Sequence, residues 1–108
     1  MEIKWTKSII GEIGYIDWDK SKSYNENIKN IPENAREMKP SEALKIIDND
    51  FKAFNKFPKN KYYACRSSDK RYRACRLGGF DSSSWFDAGG RFVDFAGDWL
   101  RGILVVKR

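Results

Sequence analysis

The residues best suited to binding chemistry belong to a five-residue motif that occurs twice in the chain. Tyr-Tyr-Ala-Cys-Arg fills positions 62–66 and Tyr-Arg-Ala-Cys-Arg fills positions 72–76, with a short polar segment between them. If the two copies pair as a β-hairpin in register, their alternate residues share one face of the sheet. That face would carry Tyr62, Ala64, Arg66, Tyr72, Ala74 and Arg76. Because aromatic rings stack on nucleobases and guanidinium groups pair with phosphate or carboxylate, the repeat predicts a surface for a nucleic acid or an acidic protein.

The distribution of charge favours the same partners. The 108 residues contain 21 Lys and Arg against 15 Asp and Glu, which gives a net charge of +6. Residues 56–76 hold eight of the basic residues and a single acid, Asp69. An excess of positive charge attracts polyanions, and here it coincides with the aromatic repeat. The predicted binding residues of this region are Tyr62, Arg66, Arg71, Tyr72, Arg73 and Arg76.

A second aromatic and cationic pair lies near the C-terminus. Trp99 follows Asp98 and precedes Arg101 in a predicted turn. An exposed tryptophan beside an arginine is typical of an interface hot spot, so Trp99 and Arg101 are added to the candidate binding residues.

Sequence patterns that indicate catalytic residues are weaker. Four carboxylates that fall within eighteen residues suggest a Mg²⁺ site for phosphodiester cleavage; they are Asp81, Asp87, Asp94 and Asp98. Aspartate is also favoured beside glycine turns for its own backbone hydrogen bonds, which is the interpretation we prefer. The three serines at 82–84 lack a general base, since the chain has no histidine. We therefore expect a protein that is not an enzyme, with no cofactor and no metal.

Cys65 and Cys75 occupy the same position of the repeat. A turn centred on Lys70 would place them opposite each other, where a strained cross-strand disulfide is conceivable, whereas a four-residue turn would place Cys65 opposite Tyr72. The N-terminus lacks the apolar segment of a secretory signal, so we expect a cytoplasmic protein with both thiols reduced and buried. Two cysteines without a histidine do not make a zinc site.

The strongest predicted element that would position these residues is a helix over residues 40–56. Pro40 suits the first helical position, and Glu42 suits the positive end of the helix dipole. Four apolar residues fall at helical spacing and form a stripe that we expect to be buried: Leu44, Ile47, Phe51 and Phe54.

Beyond residue 60 the pattern changes to an alternation of period two with glycine punctuation. The predicted strands are residues 61–66, 71–77, 85–87, 91–95 and 103–107. Because residues 103–106 are apolar on both faces, we expect the last strand to be central in the sheet.

The N-terminal part gives weaker signals. Residues 9–10 and 13–16 predict short strands around a turn, residues 19–30 a loop, and residues 32–38 a short helix. The predicted fold class is α+β, with one main amphipathic helix packed on a twisted antiparallel sheet, in a single domain over residues 1–108. No apolar run reaches the roughly 20 residues of a membrane-spanning helix, so we expect no membrane association.

These patterns lead to three hypotheses about function. The first is a small non-enzymatic binding protein that uses a basic, aromatic hairpin to engage a nucleic acid, or a nucleic-acid-processing or acidic protein. Inhibitors that phages direct against host defence systems are one biological setting for such a protein. The second is a small metal-dependent nuclease or toxin that uses the C-terminal aspartates. The third is a ligand-display domain that binds a protein or a sugar through loops between residues 78 and 101.

Overall fold

The computed structural model describes residues 2–59, 61–67, 70–77, 85–94 and 99–108, and for residues 85–89 it describes the backbone alone. Within these residues, seven strands form one sheet that is flanked by two short α-helices, which is an α+β fold. The strands are β1 (Thr6–Ser8), β2 (Gly11–Asp17), β3 (Ala35–Glu37), β4 (Lys61–Arg66), β5 (Arg71–Leu77), β6 (Trp85–Phe92) and β7 (Leu100–Lys107). The helices are α1 (Tyr24–Asn27) and α2 (Pro40–Asn49), and each is followed by a 3₁₀ turn, at Ile28–Asn30 and Phe51–Phe54.

The sheet is mixed, whereas the sequence predicted an antiparallel one. Its strand order is β1-β2-β7-β4-β5-β6, and β3 pairs with the second half of β7 beyond the end of β4. The pairing of β4 with β7 is parallel, and the other described pairs are antiparallel. As predicted, the last strand is central, since it lies between β2 and β4. Its residues from Ile103 to Val106 are buried because both faces of the strand are covered by other parts of the protein.

Each face of the sheet carries its own hydrophobic cluster. On one side Ala43, Ile46 and Phe54 pack on the odd-numbered residues of β4 and β5, which include Cys65 and Cys75. On the other side the aromatic residues Trp18 and Tyr24 pack on the even-numbered residues of the same hairpin, together with Ile103 of β7. The β4/β5 hairpin is therefore covered on both faces.

The predicted main helix is shorter than expected. It ends at Asn49, because Asp50 leaves the helical conformation with φ −151° and ψ 45°, and a 3₁₀ turn continues the chain. The predicted buried stripe is accordingly wrong for Leu44, which is 44% exposed, while Phe54 is buried through the 3₁₀ turn. The residues of α2 that enter the core are Ala43 and Ile46.

Three further predictions for the N-terminal half are wrong. Residues 9–10, predicted as a strand, form the turn between β1 and β2. The predicted loop contains α1, whose first turn is closed by a capping box between Ser23 and Glu26. The predicted helix over residues 32–38 contains β3 instead, because residues 35–37 pair with residues 105–107 of β7. A long-range pairing thus overrides a local preference.

Residues 85–92 form one strand, where the sequence predicted two strands separated by a glycine turn. Gly90 adopts φ +62°, and a Cβ at this position would lie 2.6 Å from the carbonyl oxygen of Tyr72. The pairing of β6 with β5 shifts register there, between Tyr72 and Ala74. The glycine therefore serves a bulge within the strand.

Candidate functional site

The hairpin that carries the repeat forms in the register that places its alternate residues on one face. Tyr62 pairs with Arg76, Ala64 with Ala74, and Arg66 with Tyr72. The turn differs from both predicted arrangements, since Cys65 lies opposite Arg73 and the amide of Ser67 donates to the carbonyl of Arg71 over 2.9 Å.

The centre of this face belongs to the core. Tyr72 is fully buried, and its ring stacks on Tyr24 with 5.0 Å between the centroids and 12° between the planes. The ring centroid of Trp18 lies 6.1 Å from that of Tyr72 in the same cluster. The prediction that Tyr72 belongs to an exposed surface is wrong, because the predicted loop folds as α1 and covers it. Its ring is not available to a nucleobase.

Arg66 is engaged by the same covering segment. Its Nη2 donates to Oδ1 of Asn25 over 2.7 Å, and its Cζ lies 5.0 Å from the centroid of Tyr24. Its Nε lies 3.1 Å from Oε2 of Glu37, at an angle that gives an ion pair rather than a hydrogen bond. Arg66 therefore ties α1 and β3 to the end of β4, and only part of its guanidinium faces outward.

At the opposite end of the hairpin, the structure brings three of the predicted residues together. Tyr62 contacts Trp99 edge to face, with 5.1 Å between the ring centroids, and it pairs across the strands with the exposed Arg76. Trp99 is 36% exposed. This small aromatic and cationic area is separate from the turn of the hairpin.

Arg101 lies apart from that area because of a bulge in β7. Tyr62 and Tyr63 of β4 pair with Leu100 and Gly102, so Arg101 is the extra residue between them. Its Nη1 forms an ion pair with Asp17, and its Nη2 donates to the Tyr15 hydroxyl over 3.3 Å. Arg101 therefore links β7 to β2.

A cationic groove lies at the turn end of the hairpin. It is a depression of about 450 Å³, lined by Lys39, Pro40, Ser41, Arg66, Ser67 and Arg73. The end of β4 is held against the chain before α2 by a hydrogen bond of 3.2 Å from the Arg66 amide to the Met38 carbonyl. Three basic residues and two serines therefore line one depression, and none of the described lining residues is acidic. The Arg66 guanidinium is in part neutralised by Glu37.

The beginning of α2 adds to the positive character of this cationic groove. Pro40 and Ser41, the first residues of the helix, line it, and the dipole of a helix is positive at this end. The acid of the first turn, Glu42, is neutralised by Arg36, whose Nη1 and Nη2 donate to its carboxylate over 2.9 and 2.7 Å. These bonds from Arg36 lower the pKa of the Glu42 carboxyl. The cationic groove is thus suited to an anion.

Beside the cationic groove, β5 and β6 present an exposed ring. Cζ of Arg71 lies 4.6 Å from the ring centroid of Phe92, and Phe92 is 60% exposed. Arg71 and Arg73 are alternate residues of β5 and share a face. The exposed Arg91 precedes Phe92.

Arg66, Arg71 and Arg73 were predicted from the sequence as binding residues, whereas the neighbouring residues that complete the candidate site were not. Ser41 was predicted only as part of the helix over residues 40–56 and Phe92 only as part of a strand, while Lys39 was given no role. Their nearness to the hairpin depends on the parallel β4/β7 pair and on the position of α2, for which the sequence contains no local signal.

Both cysteines are free and buried, as expected. Burial raises the pKa of the Cys75 thiol to about 12 and also raises that of Cys65. Among the residues that the structure describes, no group of three potential ligands is placed to hold a metal ion. Asp81, Asp98, the side chain of Asp87 and the serines at 82–84 lie outside the described residues.

Comparisons of the chain with protein-family models, with curated proteins and with solved structures find no match. In the part of the chain that the structure describes, no helix is both long enough and apolar enough to cross a membrane.

Proposed function

We propose that this protein is a small non-enzymatic binding protein that engages the phosphate backbone of a nucleic acid through the cationic groove and the neighbouring arginines of the hairpin. The observation that carries the proposal is that one depression is lined by three basic residues and two serines: Lys39, Arg66, Arg73, Ser41 and Ser67. Guanidinium groups bind phosphate oxygens through paired hydrogen bonds, and a lysine adds a compact charge.

The spread of charge favours an extended polyanion over a single small anion. Lys70 and Arg71 continue from the cationic groove along the turn end of β5. The net charge of +6 adds a long-range attraction. A chain of phosphates can occupy several of these positions at once and release counterions at each.

The other hypotheses from the sequence predict different results in an oligonucleotide-binding experiment. An acidic or nucleic-acid-processing protein is the alternative occupant of the same surface, and inhibition of a host defence system by a phage protein is the proposed biological setting. The metal-dependent nuclease and the ligand-display domain rest on residues 78–101, most of which lie outside the described side chains.

A fluorescence titration with labelled single-stranded and duplex oligonucleotides tests the proposal. We expect saturable binding that weakens between two salt concentrations, with the oligonucleotides intact after incubation with Mg²⁺. Cleavage that requires Mg²⁺ would favour the nuclease hypothesis. If neither form binds at low salt, the proposal is wrong and the acidic protein partner becomes the better hypothesis.

Two variants locate the binding surface. Lys39→Gln and Arg73→Gln each remove one charge from the cationic groove, and each should weaken binding by roughly 3- to 10-fold, the value of one hydrogen-bonded contact. Lys7→Gln is the matched control, because Lys7 is exposed on β1 at the opposite edge of the sheet. Equal weakening by all three variants would show general electrostatic attraction rather than a localised binding site.

A further inference from the structure

We infer that Phe92 is a stacking platform for an unpaired nucleobase, so that the ligand of this surface is a single-stranded nucleic acid whose phosphates extend along Arg71 and Arg73 to the cationic groove. This inference rests on the proposed function and names its ligand class.

The first observation is the exposure of a large apolar ring on a fixed backbone. At 60%, Phe92 has the largest exposed fraction of the large hydrophobic side chains in the described part of the chain. Its backbone pairs with Arg71, and the next residue, Val93, is held from both sides: its amide donates to Lys70 over 3.3 Å, and its carbonyl accepts from Asn25 over 2.9 Å. The backbone therefore holds Phe92 in a fixed position, and its ring belongs to neither core cluster.

The second observation is the cationic environment of that ring. The guanidinium of Arg71 lies over it with 4.6 Å from Cζ to the centroid. Arg73 follows two residues along the same face of β5, about 7 Å further by the rise of a strand, and lines the cationic groove. A base stacked on the exposed part of Phe92 would thus have its own phosphate near Arg71 and the neighbouring phosphate near Arg73.

This combination selects single strands over duplexes. In a duplex the bases are stacked on one another, so a protruding ring finds no free base face, whereas the bases of a single strand can turn outward and stack on an aromatic side chain. Stacking is tolerant of sequence because every base has a π face. We therefore expect little preference for sequence.

The test compares Phe92→Leu with Phe92→Trp on a single-stranded oligonucleotide and on the duplex of the same sequence. Loss of the aromatic face in Phe92→Leu should weaken single-strand binding by roughly 5- to 100-fold and leave duplex binding within about twofold of the wild type. Phe92→Trp should retain single-strand binding, and Ile9→Ala, at another exposed apolar residue, should change neither. Unchanged melting temperatures show that each variant is folded.

The outcomes separate this inference from the proposed function. If Phe92→Leu binds the single strand as tightly as the wild type while Arg73→Gln binds it more weakly, the stacking platform is wrong and the phosphate-binding surface stands. Equal weakening of single-strand and duplex binding by Phe92→Leu also overturns it, because the ring would then act as a general apolar contact. If the wild-type protein binds neither oligonucleotide, both proposals fail.

Discussion

The hydroxyl of Tyr72 is a buried polar group in an otherwise well-packed aromatic cluster. Among the described residues it has no hydrogen-bond partner, and burial raises its pKa, so it stays neutral at pH 7. The ring stacks on Tyr24 and contacts Trp18. The ring therefore stabilises the fold, while desolvation of the hydroxyl opposes that contribution.

Two substitutions of Tyr72 separate these effects. Tyr72→Phe keeps the ring and removes the desolvated hydroxyl, so the free energy of unfolding should be unchanged or higher by about 1 kcal/mol. Tyr72→Ala should lower it by about 3–5 kcal/mol through the cavity that the ring leaves. Urea denaturation measures both. A loss of more than about 1 kcal/mol in Tyr72→Phe would mean that the hydroxyl makes a stabilising hydrogen bond.

Arg66 and Arg73 show that equal residue types in one repeat have different surroundings. Arg66 contacts Asn25, Glu37 and Tyr24, so its substitution would disturb the packing of α1 as well as the cationic groove. Arg73 lies opposite Cys65 on the other face of the hairpin and reaches the cationic groove from there. Arg73 is therefore the better residue with which to test binding.

Among the elements, α2 defines both the core on one face and one wall of the cationic groove. Its buried residues are Ala43 and Ile46, while Leu44 points away from the core and is 44% exposed. Truncating Ile46→Ala should therefore lower the free energy of unfolding by about 2–4 kcal/mol. The matched change Leu44→Ala should cost less than about 1 kcal/mol.

Thermal or urea unfolding of the two variants checks the orientation of α2. The result that contradicts it is a larger loss of stability in Leu44→Ala than in Ile46→Ala. That order would restore the stripe predicted from the sequence, in which Leu44 is buried.

The first turn of α2 also predicts a dependence of stability on pH. Arg36 lowers the pKa of the Glu42 carboxyl below its ordinary value of 4.5. A group whose pKa is lowered on folding stabilises the folded state above its unfolded pKa, and this contribution is lost as the pH falls through its folded pKa. The carboxylate also accepts the Lys39 amide over 2.9 Å, which closes the end of the helix beside the cationic groove.

Glu42→Gln should therefore be less stable than the wild type by on the order of 1 kcal/mol at pH 7, a value kept small because both partners are partly exposed. The difference should shrink as the pH falls below about 4.5. Urea denaturation at pH 7 and at pH 3 measures it, with Glu33→Gln, at an exposed carboxylate, as the control. A difference that grows on acidification would contradict the role of the ion pair.

The elements that could be predicted from the sequence are those whose signal is local. The alternation in the repeat predicted β4 and β5 and the residues that share a face, and the apolar run of β7 predicted a central strand. Helix α1 has too few residues to show helical periodicity, and its local signal is the capping box of Ser23 and Glu26 alone. The strand β3 depends on β7, about 70 residues further along the chain.

The cationic character of the candidate site could be predicted from the sequence, but the set of residues that form it could not. The arginines of the repeat indicated a cationic surface, whereas the cover on Tyr72 and the approach of Lys39 to Arg73 depend on how distant segments pack. A repeat shows which residues alternate, but it does not show which face another element will bury.

At the scale of the whole molecule, the sheet is covered on both faces, and the cationic groove lies at one end of the β4/β5 hairpin. Strand β7 pairs with β2, β3 and β4 and so holds the N-terminal segment, the strand before α2 and the hairpin together. The cationic groove lies where the last two of these meet, between the start of α2 and the turn end of β4 and β5. A surface built between rigid elements can hold several phosphates in fixed positions.

The salt dependence of oligonucleotide binding is the most direct test of phosphate binding in the cationic groove. For the wild type, the logarithm of the association constant should fall linearly with the logarithm of the salt concentration. The double variant Lys39→Gln/Arg73→Gln should bind more weakly and with a slope smaller by about 1.4 for a single strand, or about 0.7 for each lost phosphate contact, while Lys7→Gln keeps most of the wild-type slope. A folded double variant with the affinity and slope of the wild type would show that the cationic groove holds no phosphate.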